Sequence, residues 1–330
     1  LATSPLSYAL LRLSEAGAWK YQVGMGLFTL MIAIRKIGTV DLVKTIDPLA
    51  LTFITALFSL LFALGLRLRL YGVAHQYSLR QISPALVVMG IGTLMGMLGG
   101  NVAMQQISPT LHSLMNLALY SFMVAVFAYY FGRGEAVHFK SILPIIAIST
   151  VGILIFSRDD LSHMNGGMPW GGILWTLVDI CGWAVAIVAI TNLVRAGVPV
   201  VDVIGLRFVM PVVVLGPYLA ATGRLDFGGY WLELILLSLV GYFLPFMISF
   251  NVVKKVSVVT FAISLMTTPI VVYAMSLAFL PSTTTLTMLQ LLGGLIIFAS
   301  VGYHLWAEYE RTHQRESRLT LRILERIRPE

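Results

Sequence analysis

Ten apolar runs, separated by short polar connections, constrain this chain more than any other feature of its sequence. They cover residues 18–34, 48–66, 83–103, 109–130, 142–156, 169–194, 203–221, 230–251, 258–280 and 285–306. A helix of roughly 20 apolar residues crosses the ~30 Å hydrocarbon core of a bilayer, so each run is read as one transmembrane helix. The composition agrees. The chain is 58% hydrophobic and 11% charged, with a mean hydropathy of +0.88, whereas soluble domains carry about 25% charged residues. The expected class is an all-α polytopic membrane protein.

The net charge of +7 does not indicate a nucleic-acid partner. The basic residues lie in the connections between apolar runs instead of gathering on one face. Cys181 is the single cysteine and has no histidine at ligand spacing, so neither a disulfide framework nor a metal site is expected. The opening residues include Glu15 and show no A-x-A cleavage pattern, which is not the signature of a cleaved leader. The sequence contains no GxSxG, HExxH or P-loop motif. It is therefore read as a non-enzyme that needs no cofactor and has no ATPase site.

Orientation follows from the distribution of Lys and Arg. A cytoplasmic N-terminus places Arg12, Lys20, Arg67, Arg69, Arg80, Arg133, Lys140, Arg195, Lys254, Lys255 and the six arginines after Trp306 on the inside. Only Arg35, Lys36, Lys44, Arg158 and Arg224 fall outside. With an even number of spans both termini are expected to be cytoplasmic. A repeated connection fits the same scheme: NVAMQQISPT at 101–110 recurs as NVVKKVSVVT at 251–260. An offset of five spans inverts the second copy, which explains lysines on the inner copy where the outer one has Met104 and Gln105. Two inverted five-helix halves are the architecture of transporters that alternate access to a site near the bilayer midplane.

These features resemble the drug/metabolite transporter (DMT) superfamily, and in particular its EamA-type repeat. The matching runs are NVAMQQISPTLHSLMNLALYSFMVAVFAYYFGRGEAVHFKSILPIIAISTVGILIF at 101–156 and NVVKKVSVVTFAISLMTTPIVVYAMSLAFLPSTTTLTMLQLLGGLIIFASVGYHLW at 251–306. The stretch GGILWTLVDICGWAVAIVAITNLVRAGVPVVDVIGLRF is similar to the family's sixth-helix Trp and seventh-helix Arg, at Trp183 and Arg207. The resemblance implies a first EamA repeat over 1–156, a second, inverted one over 157–306, and an appended segment over 307–330. It also marks departures. The family's frequent Glu-Pro of helix four reads Ala118-Leu119 here, and helix nine keeps Pro269 after Thr268. Met115 and Leu265 stand where the sugar-phosphate branch has basic residues, which disfavours sugar phosphates as substrates.

Ionisable residues within spans are costly, at roughly 2.5–3.5 kcal/mol on insertion scales. Asp179 and Arg207 are the two expected deep inside. Asp179 is read as a proton or cation site, and Arg207 either as a partner for a substrate carboxylate or as a structural pairing residue. His112, Asn116 and Tyr120 share one face of the fourth helix at i, i+4, i+8. In the resembling family this helix lines the central cavity. Ser264, Thr267 and Thr268 form the corresponding polar face of the ninth helix, and Trp183 offers a stacking surface. Asn101 and Asn251, the repeat-matched pair, are read as helix C-caps or as groups that bond an unwound carbonyl or the substrate. Gly92, Gly96 and Gly100 form a ladder for close helix packing. Trp19, Trp170, Trp231 and Trp306 suit the membrane interface.

After Ala307 the sequence becomes rich in Arg and Glu, with Leu319, Ile323 and Ile327 on one stripe. This suits an amphipathic helix on the inner leaflet, or a segment that docks onto a membrane-complex partner. The resulting expectation is a secondary transporter of the bacterial inner membrane with proton coupling. It acts as an exporter by family tendency, and its substrate is a small molecule, with amino acids or their derivatives first. A flippase for polyprenyl-linked lipid carriers and a non-transporting complex subunit are the rival readings.

Overall fold

A computed structural model of the chain describes residues 5–72, 79–107, 109–132, 139–162, 170–253, 257–279, 287–304 and 306–307. The described residues are helical and contain no strand. The helices are α1 (Pro5–Thr45), α2 (Pro48–Tyr71), α3 (Leu79–Gln106), α4 (Pro109–Phe131), α5 (Phe139–Ser162), α6 (Trp170–Arg195) and α7 (Val200–Thr222). They are followed by α8 (Trp231–Val253), α9 (residues 258–279) and α10 (Met288–His304). Six of them, α1, α2, α3, α6, α7 and α8, are long and apolar enough to cross a membrane. The other four carry shorter apolar helical runs at Leu119–Phe131, Ile142–Ile155, Val258–Val272 and Met288–His304. Large apolar side chains such as Leu61, Leu154, Val213, Leu295 and Phe298 face outward, as a lipid-facing surface requires. The chain is thus a multi-pass membrane protein.

Local chemistry sets the helix ends. Asp47 caps α2, accepting from the Leu49 amide at 2.8 Å, with Pro48 in the first turn. Ser257 does the same for α9, with the Thr260 amide at 3.0 Å. Gly223 ends α7 at φ +67°, a left-handed conformation that favours glycine. Inside the helices, hydroxyls return to the preceding turn: Thr29 donates to the Met25 carbonyl, Thr55 to Leu51 and Thr191 to Ile187. Each hydroxyl is satisfied without water.

Two helices depart from α geometry. A π turn occupies Leu237–Phe243 in α8, and a 3₁₀ turn occupies Leu265–Thr267 in α9. Both adjoin the central cavity described below.

The packing follows a regular scheme. α3 lies against α6, and α8 lies against α1; α3 touches α7 as α8 touches α2; α4 touches α6 as α9 touches α1. α2 meets α7 and α4 meets α9 directly. The Ser149 and Ser300 hydroxyls, 2.6 Å apart, join α5 to α10. Ser121 donates to the Ala262 carbonyl at 2.9 Å, joining α4 to α9.

The closest approach is between α3 and α6, as the glycine ladder predicts. A Cβ on Gly92 would stand 2.7 Å from the Gly182 carbonyl oxygen, one on Gly96 2.8 Å from the Trp183 ring, and one on Gly99 2.7 Å from the Asp179 amide nitrogen.

The structure corrects the sequence reading at the first span. The helix does not end at Ile34 but continues to Thr45, with an apolar candidate span over Val23–Thr45, so Arg35 and Lys36 lie within it and not in an outer connection. Lys36 is only 4% exposed. Asp179 and Arg207 are therefore not the sole buried ionisable residues. A second correction concerns Arg67, read as a loop charge. It stands near the end of α2 with its Nε 2.6 Å from Asp202 Oδ1 in α7, and both side chains are largely buried. Truncating one partner of a buried charged contact strands the other. Asp202→Ala is expected to lower stability by about 1–3 kcal/mol, measured by thermal unfolding in detergent. An unchanged midpoint would remove the pair from the list of stabilising contacts.

Trp170, Trp231 and Trp306 are all well exposed on the outside of the bundle, as an interface belt requires. Trp19, Lys254, Lys255 and the tail beyond Ala307 lie outside the residues whose side chains are described.

Candidate functional site

The polar residues of the interior converge on Asp179, near the middle of α6 and 2% exposed. Packing in a bilayer leaves such a carboxylate no solvent, so its lone pairs need donors. α4 supplies two. His112 Nε2 lies 3.0 Å from Asp179 Oδ2, and Asn116 donates its amide to the same oxygen in a shorter contact. The i, i+4 spacing of His112 and Asn116 puts both on the face turned to α6. The third member of that stripe, Tyr120, is buried one turn further along and lines the same interior space.

A cavity in two lobes surrounds this cluster. The first lobe is bounded by Arg35, Lys36 and Thr39 of α1, Asn101 of α3, His112, Asp179, Trp183 and Tyr242. The second continues past Arg35, Lys36 and Trp183 to Asn116 and Tyr120, where Phe28, Ile32, Phe246, Leu265 and Thr268 make it mostly apolar. Helices from both halves of the chain build it: α1, α3 and α4 from the first, α6, α8 and α9 from the second. The π turn of α8 presents Tyr242. It also places Gly241 against α1, where a Cβ would stand 2.9 Å from Arg35 Cγ.

Arg35 and Lys36 were missed by the sequence reading, and they change the charge of the site. Lys36 lies in the field of Asp179. The Arg35 guanidinium stands over the rings of Tyr242 and Trp183, at 5.0 and 5.8 Å from their centroids. Trp183 is also stacked on Phe246, with 5.6 Å between centroids.

The remaining sequence candidates divide. Arg207 is completely buried, but it does not line the cavity and does not pair with Asp179. Its guanidinium is caged by Phe246, Trp183, Phe208 and Phe250 at 3.7 to 5.5 Å, and none of its nitrogens has a hydrogen-bond partner among the described residues. Cation–π contacts of this kind contribute about 2 kcal/mol when desolvated. They take the place of the carboxylate or carbonyl partners expected from the sequence.

Thr268 borders the cavity, and its hydroxyl has no partner among the described residues. Ser264 and Thr267 instead bond carbonyls of their own helix, Phe261 and Ser264. Asn101 is no C-cap. It lies within α3, is 1% exposed, and donates to the Thr52 hydroxyl of α2 at 2.8 Å beside the cavity. Its repeat mate Asn251 is exposed and donates to the Met247 carbonyl in its own helix. The two matched asparagines thus have different roles.

No curated protein matches the chain. Among solved structures, one titled only "Crystal structure of protein" is similar, with a TM-score of 0.65 at 14% identity, covering 87% of this chain and 95% of that one. At that identity the likeness speaks for the fold alone. Residues 170–305, from the start of α6 through α10, match the EamA-like transporter family. The resemblance read from the sequence is borne out over that stretch: this multi-pass membrane protein carries an EamA-like transporter region at 170–305.

Proposed function

We propose that the chain is a secondary active transporter that moves a small metabolite by alternating access, with amino acids and their derivatives as the first class to test. One observation carries the reading. A buried cluster of Arg35, Lys36, His112 and Asp179 borders a cavity built by helices of both halves. Charges so placed are expensive in a membrane and mark substrate or ion pathways.

The packing scheme supports two inverted five-helix repeats. Exchanging each helix for the one five positions later maps α3–α6 onto α8–α1 and α3–α7 onto α8–α2, and leaves α2–α7, α4–α9 and α5–α10 in place. Rocking one half against the other would then expose the cavity to each side in turn. Placing Arg35 and Lys36 inside a span leaves still fewer basic residues in the outer connections, which favours cytoplasmic termini. The bacterial inner membrane and the export direction complete the reading.

In this reading Asp179, with His112, is the proton-coupling group. Proteoliposomes loaded with a mixture of amino acids and their deaminated and N-acylated derivatives and given a pH gradient test it. The wild type should show gradient-driven flux, and Asp179→Asn combined with His112→Gln should lose the dependence on the gradient while keeping downhill exchange. Gradient dependence that survives the double substitution would exclude proton coupling at this pair.

A further inference from the structure

We propose that Arg35 is the binding group for a carboxylate, and that the substrate is a small monocarboxylate with an apolar body and no ammonium group. The inference rests on the transporter reading, and within amino acids and their derivatives it selects those that lack the ammonium over the free amino acids.

The charges that line the cavity do not balance. Arg35 and Lys36 are cations, and Asp179 is the one carboxylate among the described lining residues. His112 and Asn116 already hold Asp179, and Lys36 lies in its field. One positive charge is left, and it is on Arg35. Rings face that guanidinium at Tyr242 and Trp183, but a ring face accepts none of its five in-plane N–H groups as a carboxylate does. Among the described residues Arg35 makes no ion pair. The protein nevertheless holds it in place. Gly241 in the π turn leaves room for its stem, and any side chain there would displace it. A confined cation with no anionic partner among the described residues, held at the boundary of a cavity, calls for an anion from outside the chain.

The second lobe defines the rest of the ligand. Beside Arg35 it is lined by Phe28, Ile32, Phe246 and Leu265, a mostly apolar cleft whose lining does not include Asp179. A ligand carboxylate on Arg35 therefore directs its body into apolar surroundings. An ammonium on the same carbon would need a counter-charge, and the one lining carboxylate among the described residues is engaged by its own donors. A single uncompensated charge also suits a monoanion better than a phosphate dianion.

Three probes with one apolar body separate the possibilities: 3-phenylpropionate, phenylalanine and phenethylamine. Binding to the purified full-length protein is read by tryptophan fluorescence, and flux by counterflow in proteoliposomes. 3-Phenylpropionate should bind at least about tenfold more tightly than the other two. Arg35→Gln should remove at least about tenfold of that affinity, and Arg35→Lys should recover part of it. The variants' thermal midpoints, measured in parallel, show that each is folded. If Arg35→Gln proves unfolded, Gly241→Leu, which displaces Arg35 without deleting its charge, should weaken the anion selectively. Equal binding of the amine, stronger binding of phenylalanine, or no binding of 3-phenylpropionate would overturn the inference. Flux of phenylalanine or phenethylamine without a preference for the anion would do so while leaving the transporter reading intact. Selective binding of the anion without flux would uphold the site and sink the transporter reading.

Discussion

Asp179→Ala is expected to lower stability by about 3–5 kcal/mol, the range for removing one partner of a buried ionic contact. The size follows from what the carboxylate leaves behind. His112 and Asn116 both direct donors at Asp179 Oδ2, and Lys36, 4% exposed, lies in its field. No other carboxylate lines the cavity among the described residues. Asp179→Asn keeps the shape and an acceptor but not the charge, so its cost should be smaller. The test is a coupled one. Unfolding in detergent is compared for the wild type, Asp179→Ala, Lys36→Met and the double variant. If charge is the cause, the double variant should regain most of the loss of Asp179→Ala. Equal stabilities of the single and double variants would mean that the loss comes from the cavity left by the side chain, not from a stranded cation.

The sequence made some of this site legible. Asp179 is an isolated carboxylate in an apolar run, and the His112, Asn116, Tyr120 stripe has a helical period, so burial and spacing single out each of them, but not their contact across α4 and α6. Thr268 came from the polar face of the ninth helix, and Trp183 from the resemblance to the family's sixth-helix Trp. Arg35 and Lys36 were missed, because two adjacent cations after Ile34 look like the end of a span. A signal was present all the same. Leu42, Val43 and Ile46 continue the apolar pattern, and the Asp47-Pro48 pair that opens α2 is the first true stop. Arg207 was recognised as buried but assigned the wrong partners, since the rings that cage it come from positions far apart in sequence. The π turn at Leu237–Phe243 has no sequence signature, although it is what gives Gly241 its contact with Arg35.

Gly99→Leu should rival the loss at Asp179, at about 3 kcal/mol or more, at the upper end of overpacking effects. A Cβ on Gly99 would stand 2.7 Å from the Asp179 amide nitrogen and 2.9 Å from the Trp175 carbonyl oxygen. Both are backbone atoms of a regular helix, so no rotamer change relieves the contact and α3 must move away from α6. Gly92 meets the same obstacle at the Gly182 carbonyl, so the two helices cannot pivot about one glycine to spare the other. Gly26 and Gly302 serve as controls, since a Cβ there meets nothing within 4 Å. Substitution of either by Ala should stabilise its helix by roughly 0.5–1 kcal/mol. The comparison also bears on the site. Asp179 and Trp183 occupy the face of α6 that the glycines approach, so the spacing of α3 and α6 sets how far both lie from Arg35 on α1. Gly99→Ala, a milder wedge, should therefore weaken ligand binding by more than its loss of stability accounts for. Equal tolerance of Ala at Gly99 and Gly26 would mean that α3 and α6 are free to separate, and the cavity would then have to be held by α1, α4, α8 and α9.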